Sequence, residues 1–97
     1  MYARVTIIQI LPGKTDAAVA LYRDSVVAAA RQQKGCKGGY LLSDRNTGKS
    51  LSISLWDTEA DMKAGESSGY YQQQVAKFKD LYGAPPAREV YEVTVQA

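Results

Sequence analysis

Apolar and polar positions alternate most cleanly at residues 50–56, SLSISLW: Leu51, Ile53 and Leu55 fall on one side of an extended chain, and Ser50, Ser52, Ser54 and Trp56 on the other. One side of this strand is wholly apolar. The other is small and polar and ends in the single tryptophan. Asp57-Thr58-Glu59-Ala60-Asp61 follows with almost no loop, and Thr58 to Asp61 is a helix start of the capping-box type with Asp in place of Glu.

The same reading extends in both directions. Residues 2–11, YARVTIIQIL, predict a near-central strand because both faces are mostly apolar, and Pro12-Gly13 ends it. A helix over 15–33 follows, with Asp16 in its first turn and Gly35 just past its end. At 100° per residue Ala18, Val19, Tyr22, Val26, Ala29 and Ala30 share one arc, while Arg23, Asp24, Arg31 and Lys34 lie opposite. Residues 39–44 and 50–56 form two strands joined by Arg45-Asn46-Thr47-Gly48-Lys49, a hairpin signal. A short helix is expected from Thr58 to Ala64, then a break at Gly65 and Ser67-Ser68-Gly69 that could act as a lid hinge. A further helix carries Tyr71, Val75, Phe78 and Tyr82 on one side and stops at Gly83 and Pro85-Pro86. Residues 88–96, REVYEVTVQ, read as the last strand, with Tyr91, Val93 and Val95 on its buried side.

The order βαββαβ predicts one α+β domain over residues 1–97: a ferredoxin-like four-stranded antiparallel sheet with its helices on one face. The other face is then bare and apolar, and the simplest cover is a second copy, giving a homodimer through the open sheet face.

Composition narrows the chemistry. The formal charge is +2 with no basic run, so no nucleic-acid partner is expected. Apolar stretches are too short to cross a membrane and the N-terminus lacks a signal-peptide layout, so the expected location is the cytoplasm. The chain has no histidine, which removes Ser-His-Asp and Cys-His catalysis and zinc sites built on His. Neither a GxGxxG nor a GxxxxGK[ST] phosphate loop is present. The single Cys36 permits no internal disulfide and reads as a small residue at a loop-to-strand junction.

Candidate pocket residues follow from placement. Trp56 ends the polar face of its strand, where it is either a plug in the core or a flat wall for an aromatic ligand. Tyr22 lies centrally on the inward arc of the first helix. Tyr71 shares the Val75 and Phe78 spacing, so adjacent Tyr70 points aside, towards a pocket mouth or a partner. Gln9 is a polar side chain in an apolar strand, set either on a solvated face or into the pocket.

The chain resembles the antibiotic biosynthesis monooxygenase-like family of the dimeric α/β-barrel superfamily. The resemblance rests on the first strand closing in Pro-Gly-Lys, the helix end Ala29-Ala30-Arg31-Gln32-Gln33-Lys34-Gly35, the Gly39-Tyr40 strand, Ser52 to Asp61, and Ser68-Gly69-Tyr70-Tyr71. It spans essentially the whole chain. In the haem-degrading branch of that superfamily a helix histidine ligates iron beside an asparagine and a second tryptophan. Here those histidine and tryptophan positions fall near Val75 and Gly65, so haem degradation is not expected unless a tyrosine or Cys36 ligates the iron. The other branch oxidises phenols to quinones with O₂ and no cofactor. The resemblance therefore implies a cofactor-independent monooxygenase acting on a small aromatic or polyketide-like phenol, with Trp56, Tyr22 and Tyr71 shaping the pocket and Gln9 or a tyrosine hydroxyl polarising substrate or oxygen. The alternative is a non-enzymatic dimeric ligand-binding or stress-related protein of the same fold. An isomerase or lyase ranks last, since no histidine or paired acid offers a base.

Overall fold

The computed structural model describes residues 1–97. Four strands, β1 (Tyr2–Gln9), β2 (Cys36–Ser43), β3 (Lys49–Trp56) and β4 (Ala87–Glu92), form one antiparallel sheet in the order β2-β3-β1-β4. This is the ferredoxin-like α+β arrangement. Between β1 and β2 the chain forms α1 (Thr15–Leu21), one π-helical turn (Tyr22–Val26) and α2 (Val27–Ala30). Between β3 and β4 it forms α3 (Glu59–Ser67) and α4 (Tyr70–Ala76). No helix is long and apolar enough to cross a membrane.

The register explains which face the helices cover. Arg4 pairs with Ser54, Thr6 with Ser52 and Ile8 with Ser50. These side chains point towards the helices, as their burial shows for Arg4, Thr6, Ile8 and Ser50. Ala3, Val5 and Ile7 therefore share the opposite face with Leu51, Ile53 and Leu55, extended by Tyr40 and Leu42 of β2 and Tyr91 of β4. Tyr40 is 61% exposed, Tyr91 52% and Leu42 48%, so this apolar face is open to solvent in the protomer. Beside Ile8 the helix-covered face carries serine, threonine and arginine, while the uncovered face of β1 and β3 is almost wholly aliphatic.

The apolar core gathers at one end of the covered face, where Ile8, Ile10, Ala18, Val26 and Phe78 pack together. At the other end Trp56 and Met62 are 1% exposed. Thr58 caps α3 as expected, its hydroxyl accepting from the Asp61 N–H at 3.1 Å.

Several boundaries differ from the expectation. Helix α3 runs through Gly65 to Ser67, because this glycine faces inward and is buried; the break falls at Ser68-Gly69, where Gly69 has φ +87. Helix α4 stops at Ala76 and not at Tyr82. Phe78 and Leu81 continue in tight i→i+3 turns, and the Tyr82 hydroxyl donates at 3.0 Å to the Val75 carbonyl, which also accepts from the Phe78 N–H at 3.1 Å. Strand β4 ends at Glu92, after which Val93 N–H donates to Met1 O at 2.9 Å and Thr94 to Gln96 have no strand beside them. Tyr91 is not buried within the protomer: it pairs with Ala3 on the open face.

Candidate functional site

A strand floor of serine and threonine cannot fill the space beneath a helix layer. The missing volume persists as a cavity of about 70 Å³ between the sheet and the helices, opening to solvent at one side. Its floor is Arg4, Thr6 and Ile8 of β1 with Ser52, Ser54 and Trp56 of β3. Tyr22, Val26 and Ala30 form one wall, and Tyr70, Tyr71, Gln74, Val75, Phe78 and Tyr82 the other. The π-helical turn begins at Tyr22 and ends at Val26, and both side chains line the cavity. A second space of about 230 Å³ adjoins it, running past Cys36, Gly38 and Gly39. The two share Tyr22, Val26, Ala30 and Ser54, so the Tyr22 side chain stands where they meet.

Four of the five residues singled out from the sequence lie together here: Trp56, Tyr22, Tyr71 and Tyr70. Gln9 does not. Its position on β1 faces away from the helices, and its amide donates to Thr47 O at 2.7 Å, tying the strand end to the hairpin. Tyr70 and Tyr71 both reach the cavity although they are adjacent, because they start a new helix after the Gly69 turn.

The polar groups largely satisfy one another. Trp56 Nε1 donates to Ser54 Oγ at 2.9 Å, a side-chain partner and not the backbone. The Tyr22 hydroxyl lies 3.0 Å from Ser52 Oγ, and the Tyr71 hydroxyl 3.1 Å from Thr6 Oγ1.

Arg4 is the residue that the sequence did not flag. Its side chain is 3% exposed, and the guanidinium carbon lies 4.5 Å from the Tyr71 ring centre and 5.3 Å from that of Trp56. Nη2 makes one long bond to the Met62 carbonyl at 3.4 Å, and Nε is buried with no hydrogen-bond partner. The Glu66 carboxylate approaches Nε at 3.6 Å, while its other oxygen is held by Arg88 at 2.5 Å. Gly65 makes this close packing possible: a Cβ there would lie 3.3 Å from the Tyr70 ring and 3.6 Å from Arg4 Nη2.

Burial lowers the Arg4 pKa and Glu66 opposes that effect. A guanidinium stays charged under such a shift at neutral pH. Burial raises the tyrosines: Tyr70 and Tyr82 are pushed up to about 12, and Tyr22 is shifted in the same direction. These phenols are protonated at neutral pH, so each has a proton to donate and none acts as a base. Tyrosines in the unfolded chain release their protons near pH 10, before the native ones do, so the unfolded state binds fewer protons between about pH 10 and 12. Stability should be level up to about pH 10 and fall above it. Denaturant midpoints from pH 7 to 11.5 check this, and a flat profile through pH 11.5 would contradict it.

The family profile described as antibiotic biosynthesis monooxygenase matches residues 1–77. The chain belongs to the antibiotic biosynthesis monooxygenase family. Among curated relatives, the uncharacterized protein Rv2557 of Mycobacterium tuberculosis is 34% identical over 97 residues, which is 96% of this chain and 41% of that protein. The chain thus spans about two fifths of that relative's length. Among solved structures, the monooxygenase from ActVA-Orf6 of Streptomyces coelicolor, in complex with nanaomycin D, superposes with a TM-score of 0.82 at 12% identity, covering 99% of this chain and 89% of that one. SnoaB, a cofactor-independent oxygenase from Streptomyces nogalater, superposes with a TM-score of 0.76 at 11% identity over 98% and 94% of the two chains. At these identities the likeness shows a shared fold.

Proposed function

We propose that the protein is a cofactor-independent monooxygenase that oxidises a small aromatic phenol with O₂. The observation that carries this reading is the aromatic-walled cavity over a hydroxyl floor, set between sheet and helices in a family fold that includes oxygenases. Flat walls from Trp56, Tyr22 and Tyr71 suit a flat ring. The hydroxyls of Ser52, Thr6, Tyr22 and Tyr71 can turn from their internal bonds to donate to an oxygen that becomes negative.

The chemistry asks little of the protein. A phenolate passes one electron to O₂, and the aryloxyl radical and superoxide join at a ring carbon that carries hydrogen. The peroxide takes up a proton. Loss of that C–H proton and cleavage of the O–O bond then release water and leave a quinone carbonyl. No carboxylate lines the cavity, so the phenol gives its first proton to water at the mouth. The protein's part is to hold the ring, exclude bulk water and donate to the peroxide oxygen.

One observation favours the non-enzymatic alternative, a ligand-binding or stress-related protein of the same fold. The enclosed volume of about 70 Å³ is below the ~300 Å³ usual for ligand pockets, and the Tyr22, Tyr71 and Tyr82 hydroxyls are bonded within the protein. Swinging Tyr22 aside would join the two adjoining spaces. Oxygen uptake separates the readings. With a chelator present, hydroxylated naphthalenes and anthracenes should give enzyme-dependent O₂ consumption of one equivalent per quinone formed. Binding without uptake would assign the cavity to the alternative.

We further propose that two copies pair through the open faces of their sheets. The support is the aliphatic face of Val5, Ile7, Leu51, Ile53 and Leu55, flanked by exposed Tyr40, Leu42 and Tyr91. The expected location remains the cytoplasm.

A further inference from the structure

Arg4 carries an inference that the oxygenation reading does not use. A buried guanidinium normally has its donors satisfied, because taking the charge from water costs several kcal/mol that hydrogen bonds must offset. Here one long bond and one unpaired Nε are what the protein supplies. The neighbouring hydroxyls are engaged with one another, which leaves Arg4 as the strongest unmet donor at the cavity. The only anion near it is Glu66, at 3.6 Å from Nε, too far for a hydrogen bond; its tighter contact is to Arg88. Glu66 shows which chemical group this edge of Arg4 accepts, and Arg88 shows how that internal carboxylate can be held when it gives way.

We propose that the ligand of this cavity is an aromatic carboxylate, whose carboxylate bonds to the Nε edge of Arg4 in place of Glu66 while its ring lies between Trp56, Tyr71 and Tyr22. The proposal rests on the cavity being the ligand site and deepens that reading: the phenol to be oxidised carries a carboxylate. A guanidinium edge presents two parallel N–H groups that fit two carboxylate oxygens, which a neutral amide of the same shape cannot match. Trp56 and Tyr71 hold the guanidinium plane, so its orientation is set before the ligand arrives.

The test compares 1-naphthoate with 1-naphthamide, an isostere without the charge, by calorimetry and Trp56 fluorescence. Wild type should bind naphthoate at least about tenfold more tightly than naphthamide. Arg4→Met, which keeps the volume of the stem, should abolish that preference while still binding naphthamide. Glu66→Gln removes the competing anion and should tighten naphthoate several-fold while leaving naphthamide unchanged. Equal affinity of the two ligands for wild type would overturn the proposal even if Arg4→Met did not fold, as would a preference that survives in Arg4→Met, or no binding of either ligand. The oxygenation reading fails separately. Selective naphthoate binding without O₂ uptake on 1-hydroxy-2-naphthoate, whose para ring carbon carries hydrogen, would keep the carboxylate site and remove the oxygenase. Uptake on neutral naphthalenediols without a naphthoate preference would do the reverse.

Discussion

Replacing Trp56 with alanine should cost about 3–5 kcal/mol of folding stability, the range for removing a fully buried large aromatic side chain. The indole is 1% exposed, donates its N–H to Ser54, and forms one side of the Arg4 packing site. Alanine would enlarge an existing cavity whose floor of serines cannot collapse to fill it, so the cost should sit high in the range. It would also leave the Arg4 charge with a cation–π contact to Tyr71 in place of contacts to both rings. A domain of this size has roughly 5–15 kcal/mol in total, and the melting temperature should fall by more than about 15 °C. Circular dichroism melts check this, since the variant has lost its fluorophore. Trp56→Phe keeps a ring in the same space and should lose well under half as much. If Trp56→Ala melted within a few degrees of wild type, the indole would not be the packing centre of this end of the sheet. On the proposed function, Trp56→Phe should retain aromatic binding.

Much of this architecture could be read from residues whose pattern has one physical solution. The alternation of β3 has period two, and a capped helix follows it at once, so strand, Trp56 and helix start were fixed together. The inward arc of Ala18, Tyr22 and Val26 survives the π-helical turn, because that turn changes the angle of the later residues without moving the arc off the sheet. Arg4 was less legible. It stands third in a strand that begins YAR, and an arginine near a strand end ordinarily reaches solvent. The signal was Arg4, Thr6 and Ile8 at period two, but β1 has aliphatic residues on both sides. Only the pairing of Arg4 with Ser54 and Thr6 with Ser52 shows that the more polar side is the covered one. Gln9 stayed open between a solvated face and the pocket for the same reason, and the register puts it one residue out of phase with the covered face. The end of α4 was hidden because Phe78 and Tyr82 keep facing the core through tighter turns, so the apolar spacing outlasts the helix that produced it.

Changing Ile53 to aspartate should convert the proposed dimer into a folded monomer. Ile53 is in the middle of β3, paired with Val5 on one side and Tyr40 on the other, at the centre of the open face. In the protomer that face meets water, so a carboxylate there remains solvated and the single-chain fold should lose little beyond strand propensity and side-chain contacts, about 1 kcal/mol. In a sheet-on-sheet dimer the same carboxylate is buried against aliphatic side chains without a partner, and twofold symmetry introduces it twice in one interface. At several kcal/mol for each unpaired charge, the dissociation constant should rise by at least about a thousandfold. Sedimentation equilibrium of wild type and variant at micromolar concentration measures this directly, and circular dichroism reports whether the variant is folded. A wild-type monomer would remove the proposed dimer, and an Ile53→Asp protein that still dimerises with unchanged affinity would show that another surface does the pairing. The inversion in this sheet gives the prediction its force. The side under the helices is polar enough to hold a cavity, and Leu51, Ile53 and Leu55, which would ordinarily build a core, lie on the side that the protomer leaves open.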